Sequence, residues 1–231
     1  MNADGPGGLL SAEQWQMTLG ERAALEGVLS RVAPRLAIEI GTAEGGSARC
    51  LARHCEEIHS FDLRHPAGLT EELPQVVLHT GDSHVLLPAA LERIAAAGRT
   101  VDFALVDGDH TADGVRRDLE DLLASPACRR TVILAHDAAN EEVRAGLEAC
   151  ALGARPEVTF FDLDFVPGHL SARGDYAGAI WGGLALVVVD PDAHAEAATW
   201  AADELRPAAE VLRAGRDALG AGPPGAVGPQ V

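Results

Sequence analysis

The sequence predicts a single doubly wound α/β domain: a mostly parallel sheet, its last strand antiparallel, with helices on both faces. Three observations lead there. Short apolar runs alternate with amphipathic stretches along most of the chain, the pattern of a sheet wrapped by helices. The turns that follow the apolar runs collect glycine, aspartate and histidine, and ligands of open α/β sheets bind beyond the carboxyl ends of the strands. Near the end, apolar runs at 158–161 and 184–189 are joined by a glycine-rich loop without a helical pattern. That favours an antiparallel pair over another crossover.

In chain order, Ser11 and Gln14 form a capping-box pattern that opens a helical region reaching about Val32, with Gly20 as a candidate break. Strands are expected at 36–40, 58–62, 76–79, 101–106 and 131–135, with helices at 47–55, 85–97 and 141–151 between them. Thr111 suits the cap of a further helix, where Val115, Leu119, Leu122 and Leu123 share one face at i, i+4, i+7 and i+8. A final helix is expected over 193–213, its apolar side built from Ala, Leu and Val. Residues 1–10 and the Gly/Pro-rich stretch 215–231 are expected to be flexible, which leaves 11–214 as one domain.

The chain has 231 residues, 47% apolar and 23% charged, ordinary values for a globular domain. All 18 basic residues are arginine. That excludes chemistry needing an amine nucleophile and the phosphate-gripping lysine of a Walker A loop. The formal charge of −17, with no arginine-rich run, speaks against nucleic acid or an anionic membrane as partner. Cys50, Cys55, Cys128 and Cys150 show no metal-binding spacing and read as free buried thiols of a reducing compartment. The amino-terminal residues lack a basic and an apolar region, and no apolar run reaches the ~20 residues of a membrane span. A cytoplasmic protein is the expectation.

The chemistry gathers at the expected strand ends. After the first strand comes Glu39-Ile40-Gly41-Thr42-Ala43-Glu44-Gly45-Gly46-Ser47. Its glycines allow a tight turn and close ligand approach, and the following helix start offers free N–H groups. An ordinary βα turn would use the same residues. Asp62 closes the second strand, where a carboxylate can accept ribose hydroxyls of NAD or of S-adenosylmethionine (SAM) alike. The third strand ends in Gly81-Asp82-Ser83, a nucleoside contact or a plain helix cap. The fourth ends in Asp107-Gly108-Asp109-His110, and His136-Asp137 follow the fifth. An unperturbed imidazole titrates near ~6.5, so His110 is the natural proton acceptor at neutral pH.

Taken together, these segments resemble class I SAM-dependent methyltransferases, in particular a family that includes tailoring enzymes of bacterial natural products. The resemblance spans about 20–190. It rests on acid-x-Gly-x-x-x-Gly after the first strand, Asp62, Gly81-Asp82-Ser83 with Leu87-Pro88, Asp107-Gly-Asp-His110 followed by Asp118-Leu119, and His136-Asp137. It implies a Rossmann-like sheet closed by an antiparallel strand and transfer of a methyl group from SAM to a hydroxyl of a small-molecule acceptor. Glu39, Gly41, Thr42, Gly45, Ser47, Asp62, Asp82, Ser83 and Asp107 would meet the cofactor. Catalysis would rest on His110, Asp107 and His136. Metal-dependent members carry Asp-Gly-x-His after strand four and two acids after strand five, which implies Mg²⁺ or Mn²⁺ on Asp107, His136 and Asp137. This chain departs at His136, an imidazole where the first acid would stand, and imidazole suits softer ions than Mg²⁺.

The remaining polar and aromatic residues carry plainer expectations. His54, His59 and His65 read as surface or backbone-satisfied groups, and Trp15 and Trp181 as packing residues. Glu141 and Glu142 suit a helix start, and Asn140 stands close enough in sequence to Asp137 to reach the site. The 165–179 loop, with His169, Arg173, Asp175 and Tyr176, is placed to wall an acceptor. The apolar final helix would pack on its own sheet or support a homodimer. Two rival readings stand beside methyl transfer: an NAD(P)-dependent Rossmann oxidoreductase, disfavoured by the Gly41/Gly45 spacing, and a SAM-binding protein without catalysis.

Overall fold

The computed structural model describes residues 15–171, 178–192 and 208–218. The expected Ser11 cap, residues 1–10, the loop residues Arg173, Asp175 and Tyr176, most of the 193–213 helix and the end of the tail lie outside them. The elements run α1 (Leu19–Val32), β1 (Leu36–Ile40), α2 (Gly46–Ala52), β2 (Glu57–Asp62), α3 (Leu69–Glu72), β3 (Val76–Thr80), α4 (Ser83–Ala96), β4 (Phe103–Val106), α5 (Ala112–Ala124), β5 (Thr131–His136) and α6 (Glu141–Ala149). After a 3-10 turn come β6 (Val158–Val166), β7 (His169–Leu170), β8 (Ile180–Trp181), β9 (Leu184–Val189) and α7 (Ala208–Ala218).

Seven strands form one sheet in the order β3-β2-β1-β4-β5-β9-β6. β3 through β5 run parallel, and β9 lies antiparallel to both β5 and β6. The antiparallel pairing of β6 and β9 is the one the helix-free connection anticipates, and β9 lies between β5 and β6. All five residues of β1 are buried, because helices cover both faces of a parallel sheet. One core layer joins Ile38, Ile40, Phe61, Leu91, Leu119 and Ile133. The other joins Leu25, Leu29, Leu51, Ile58, Leu105 and Leu184.

Several boundaries differ from expectation for local reasons. Helix α1 is capped by Thr18, which forms a capping box with Glu21, and Gly20 sits harmlessly in the first turn. Strand β6 continues through 166 because the alternation Phe161, Leu163, Phe165 against Asp162, Asp164 keeps the strand period. Helix α7 runs past Gly215 to Ala218, so residues 215–218 are helical where a flexible tail is expected. The buried Arg216 holds that last turn to Glu141 at 2.9 Å. The four cysteines are buried and unbridged. No helix among the described residues is long and apolar enough to cross a membrane.

Candidate active site

Parallel register assembles the site. Ile40 pairs with Phe61 and Val106, and Val106 with Ala135, so the segments after β1, β2, β4 and β5 leave the sheet side by side. Gly41 turns the chain at φ +91°, and a Cβ there would stand 1.9 Å from the carbonyl oxygen of Asp107. No other residue satisfies both that backbone angle and that contact.

Asp62 Oδ2 accepts the backbone N–H groups of Thr42 and Ala43 at 2.7 and 3.0 Å, and Oδ1 that of Arg64 at 3.1 Å. The carboxylate expected to meet ribose therefore also organises the β1 turn. Beneath it, the Thr42 and Ser60 hydroxyls share a hydrogen bond of 2.6 Å, and Ser60 donates to Glu39. Glu39 is fully buried, so it props the turn from below instead of lining its surface. Burial pushes its carboxyl up to about 7, against hydrogen bonds from Ser60 and Ser47.

A carboxyl raised in this way stabilises the fold fully below its unfolded value of about 4.5 and loses that contribution as pH rises through about 7. Glu39→Gln is expected to remove this loss, so that thermal midpoints of the variant fall less than wild type between about pH 5 and about pH 8. Parallel midpoint curves for the two proteins would show that Glu39 is buried as the anion.

At the end of β3, Asp82 caps α4 by accepting the His84 N–H at 2.9 Å. Ser83 donates to Asp118 at 3.0 Å. Burial pushes the Asp118 carboxyl up to about 6, with His84 and Ser83 working against it.

The densest grouping follows β4 and β5. His136 Nδ1 lies 3.0 Å from Asp107 Oδ1 and 3.3 Å from Asp137 Oδ2. His110 Nε2 lies 3.0 Å from Asp137 Oδ2 and 3.5 Å from Asp107 Oδ1. On the far side of the ring, His136 Nε2 faces Glu21 Oε2 at 3.6 Å. Asp137 adopts a left-handed backbone, φ 54°, a strained conformation that Asp tolerates better than most residues. Its Oδ1 accepts the Gly182 N–H at 2.6 Å. The Trp181 ring stands edge-on to His110, centroids 6.1 Å apart.

The charges in this group interlock. Burial opposes the charged form of His110, yet Asp107 and Asp137 together outweigh it and lift the imidazole to about 10. The half-protonated His110 expected from an isolated side chain is thereby corrected: two carboxylates hold it as the cation. His136 is likewise raised, against burial, by Asp107, Asp137 and Glu21. Asp137 is lowered, against burial, by the two imidazoles. Glu21 is held at about 2, burial being outweighed chiefly by His136. Asp107, His136 and Asp137 each offer a ligand atom, all within 4.8 Å of one another.

Residues 38–138 match a family model described as a methyltransferase domain. That segment runs from β1 to the turn after β5 and resembles a methyltransferase domain. The fold is shared with the O-methyltransferase TomG from Streptomyces achromogenes, involved in tomaymycin synthesis and solved in complex with SAM. The two are 17% identical with a TM-score of 0.57, over 75% of this chain and 81% of that one. It is shared too with an O-methyltransferase from Bacillus cereus in complex with SAH, at 19% identity and TM-score 0.53, over 79% of this chain and 86% of that one. At these identities the likeness is one of fold. No curated protein matches the chain in sequence.

In the structure, four expected groups meet in one cluster: Asp107, His110, His136 and Asp137. Gly41, Thr42, Gly45 and Asp62 form the adjoining turn. Glu39, Ser47 and Thr42 are buried, and Asp82 and Ser83 are engaged in a cap and in the Asp118 contact. Asn140 is committed to capping α6, accepting from Glu142 and Val143. His54 and His59 pair with the carboxylates of Glu26 and Glu57, which corrects the expectation of backbone partners. Glu21 was not anticipated, although Thr18-x-x-Glu21 is a legible capping box. Trp181 packs as expected, but against His110.

Proposed function

We propose that the protein is a methyltransferase that moves the methyl group of SAM to a hydroxyl of a small molecule, with a divalent cation held by Asp107, His136 and Asp137 and with His110 receiving the proton. The observation that carries this reading is the convergence of two imidazoles and two carboxylates beside the Gly41 turn. Both relatives named above are O-methyltransferases solved with SAM or SAH, which supports the cofactor and the class of acceptor atom.

The Gly41–Gly45 turn and the start of α2 would receive the methionine end of SAM, and Asp62 the ribose hydroxyls. Asp82 and Ser83 border the adenine side, while Glu39 and Ser47 support the turn from beneath. In the reaction the methyl–sulfur bond breaks as the methyl–oxygen bond forms, sulfonium becomes thioether, and the hydroxyl proton passes to His110. Because displacement is in line, positioning is the main task, and Trp181 and His110 bound the acceptor side.

The donor set fits a divalent cation: one imidazole and two carboxylates, two of the three groups buried. Imidazole favours Mn²⁺ over Mg²⁺. When bound, the cation supplies Lewis acidity that lowers the pKa of the acceptor hydroxyl. Asp107 and Asp137 then share their charge with the cation, which frees His110 to act as a neutral base.

His110→Ala tests catalysis against mere binding. Turnover is expected to fall by about 10²–10⁴, while SAM still raises the thermal midpoint as in wild type. Undiminished turnover on any acceptor would remove His110 from the chemistry. A wild type that SAM stabilises but that turns over nothing, with or without Mn²⁺, would favour the non-catalytic SAM binder.

A further inference from the structure

His136 presents its two nitrogens to different surroundings. Nδ1 lies within 3.3 Å of both Asp107 and Asp137, whereas Nε2 is buried, without a hydrogen-bond partner among the described residues. What it faces is Glu21, at 3.6 Å. Glu21 comes from the first turn of α1, far in sequence from the strand ends, and is itself 1% exposed.

Its carboxylate is held from three directions. Oε2 accepts the Thr18 N–H in the capping box, Oε1 accepts the Gly183 N–H, and Gly182 lines the third side. A Cβ on Gly182 would stand 2.6 Å from Glu21 Oε1, and Gly182 has φ +70°. A buried acid kept in place by a helix cap and a glycine pair, aimed at one nitrogen of a histidine, is more than a cap requires.

We propose that Glu21 is the positioning residue that keeps the His136 proton on Nε2 and so leaves Nδ1 as a ligand atom for the divalent cation. The inference rests on the cation reading above. Histidines that bind metals donate their second N–H to a carboxylate or carbonyl, which sets both tautomer and ring orientation. Here the Nε2–H···Glu21 bond closes with a shift of about 0.5 Å to ordinary hydrogen-bond length. With Asp107 and Asp137 around Nδ1, the ring has one nitrogen to give and one to be held by.

Glu21→Gln probes this without emptying the space. Its amide keeps an oxygen for the Gly183 N–H and turns an NH₂ toward His136, giving up the Thr18 N–H bond of the cap; His136 then accepts at Nε2 and carries its proton on Nδ1. Mn²⁺ is the probe, followed by calorimetry and by electron spin-echo modulation, which detects a directly bound imidazole nitrogen.

Wild type is expected to bind one Mn²⁺ with nitrogen modulation. Glu21→Gln is expected to bind about 10–100-fold more weakly and to lose the modulation. Equal affinity and equal modulation in the two proteins would overturn the role of Glu21 while leaving the cation site standing. No Mn²⁺ binding by wild type, or binding unchanged in Asp107→Asn, would instead overturn the cation reading and this inference with it. If Glu21→Gln does not fold, wild type decides alone. Its ¹⁵N-histidine spectrum with Zn²⁺ is expected to show His136 protonated at Nε2, and a proton on Nδ1 would refute the assignment.

Discussion

Asp107→Asn is expected to slow methyl transfer by about two to four orders of magnitude while changing SAM affinity only a few-fold. One carboxylate serves three neighbours here. Its Oδ1 lies 3.0 Å from His136 and 3.5 Å from His110, and its backbone carbonyl packs on Gly41. Asn keeps the shape and the backbone contact but removes the charge. His110 then loses one of the two carboxylates that lift it to about 10, and the proposed cation would lose a ligand. Turnover at saturating SAM, set beside the SAM dissociation constant from calorimetry, checks this. Wild-type turnover in the Asn variant would place Asp107 outside the chemistry. A loss confined to SAM affinity would make it a cofactor contact alone.

The second large effect is structural. Gly41→Ala is expected to cost about 2–5 kcal/mol of stability and to abolish SAM binding. A left-handed backbone with a side chain costs about 1–2 kcal/mol by itself. The rest comes from the Cβ, which would lie 1.9 Å from a backbone oxygen. Because the obstacle is the main chain of Asp107 and not a side chain, no rotamer relieves it. The β1 and β4 ends would have to part, and with them the turn that Asp62 holds. For a domain of this size the thermal midpoint should fall by roughly 5–15 °C. A variant with wild-type midpoint and SAM response would mean that the turn has another conformation in solution.

Much of this was legible in the chain. Apolar runs of the right length predict β1, β4, β5 and β9 to within a few residues, because a strand buried on both faces must be apolar almost throughout. Residues that follow such runs in a parallel sheet must emerge at one edge, so Gly41, Asp62, Asp107 and His136 could be grouped before any contact was known. Strand β6 extends past its expected end at 161 to Val166, since two aspartates among its phenylalanines resemble a loop until the alternation is counted. Helix α1 starts at the Thr18-x-x-Glu21 box; Ser11-x-x-Gln14, outside the described residues, fits the same pattern, and local sequence does not rank the two.

What the sequence by itself determined is the parallel sheet, the antiparallel closing strand and the acids and imidazoles at the strand ends. These follow from hydrophobic period and strand polarity, which are local properties. Tertiary structure alone decided which nitrogen of His136 meets which carboxylate, that His110 stands as a cation between Asp107 and Asp137, and that Glu21 crosses from α1 to join them. Protonation and pairing depend on distances of a few ångströms between segments from about thirty to more than a hundred residues apart. Only packing brings such segments together.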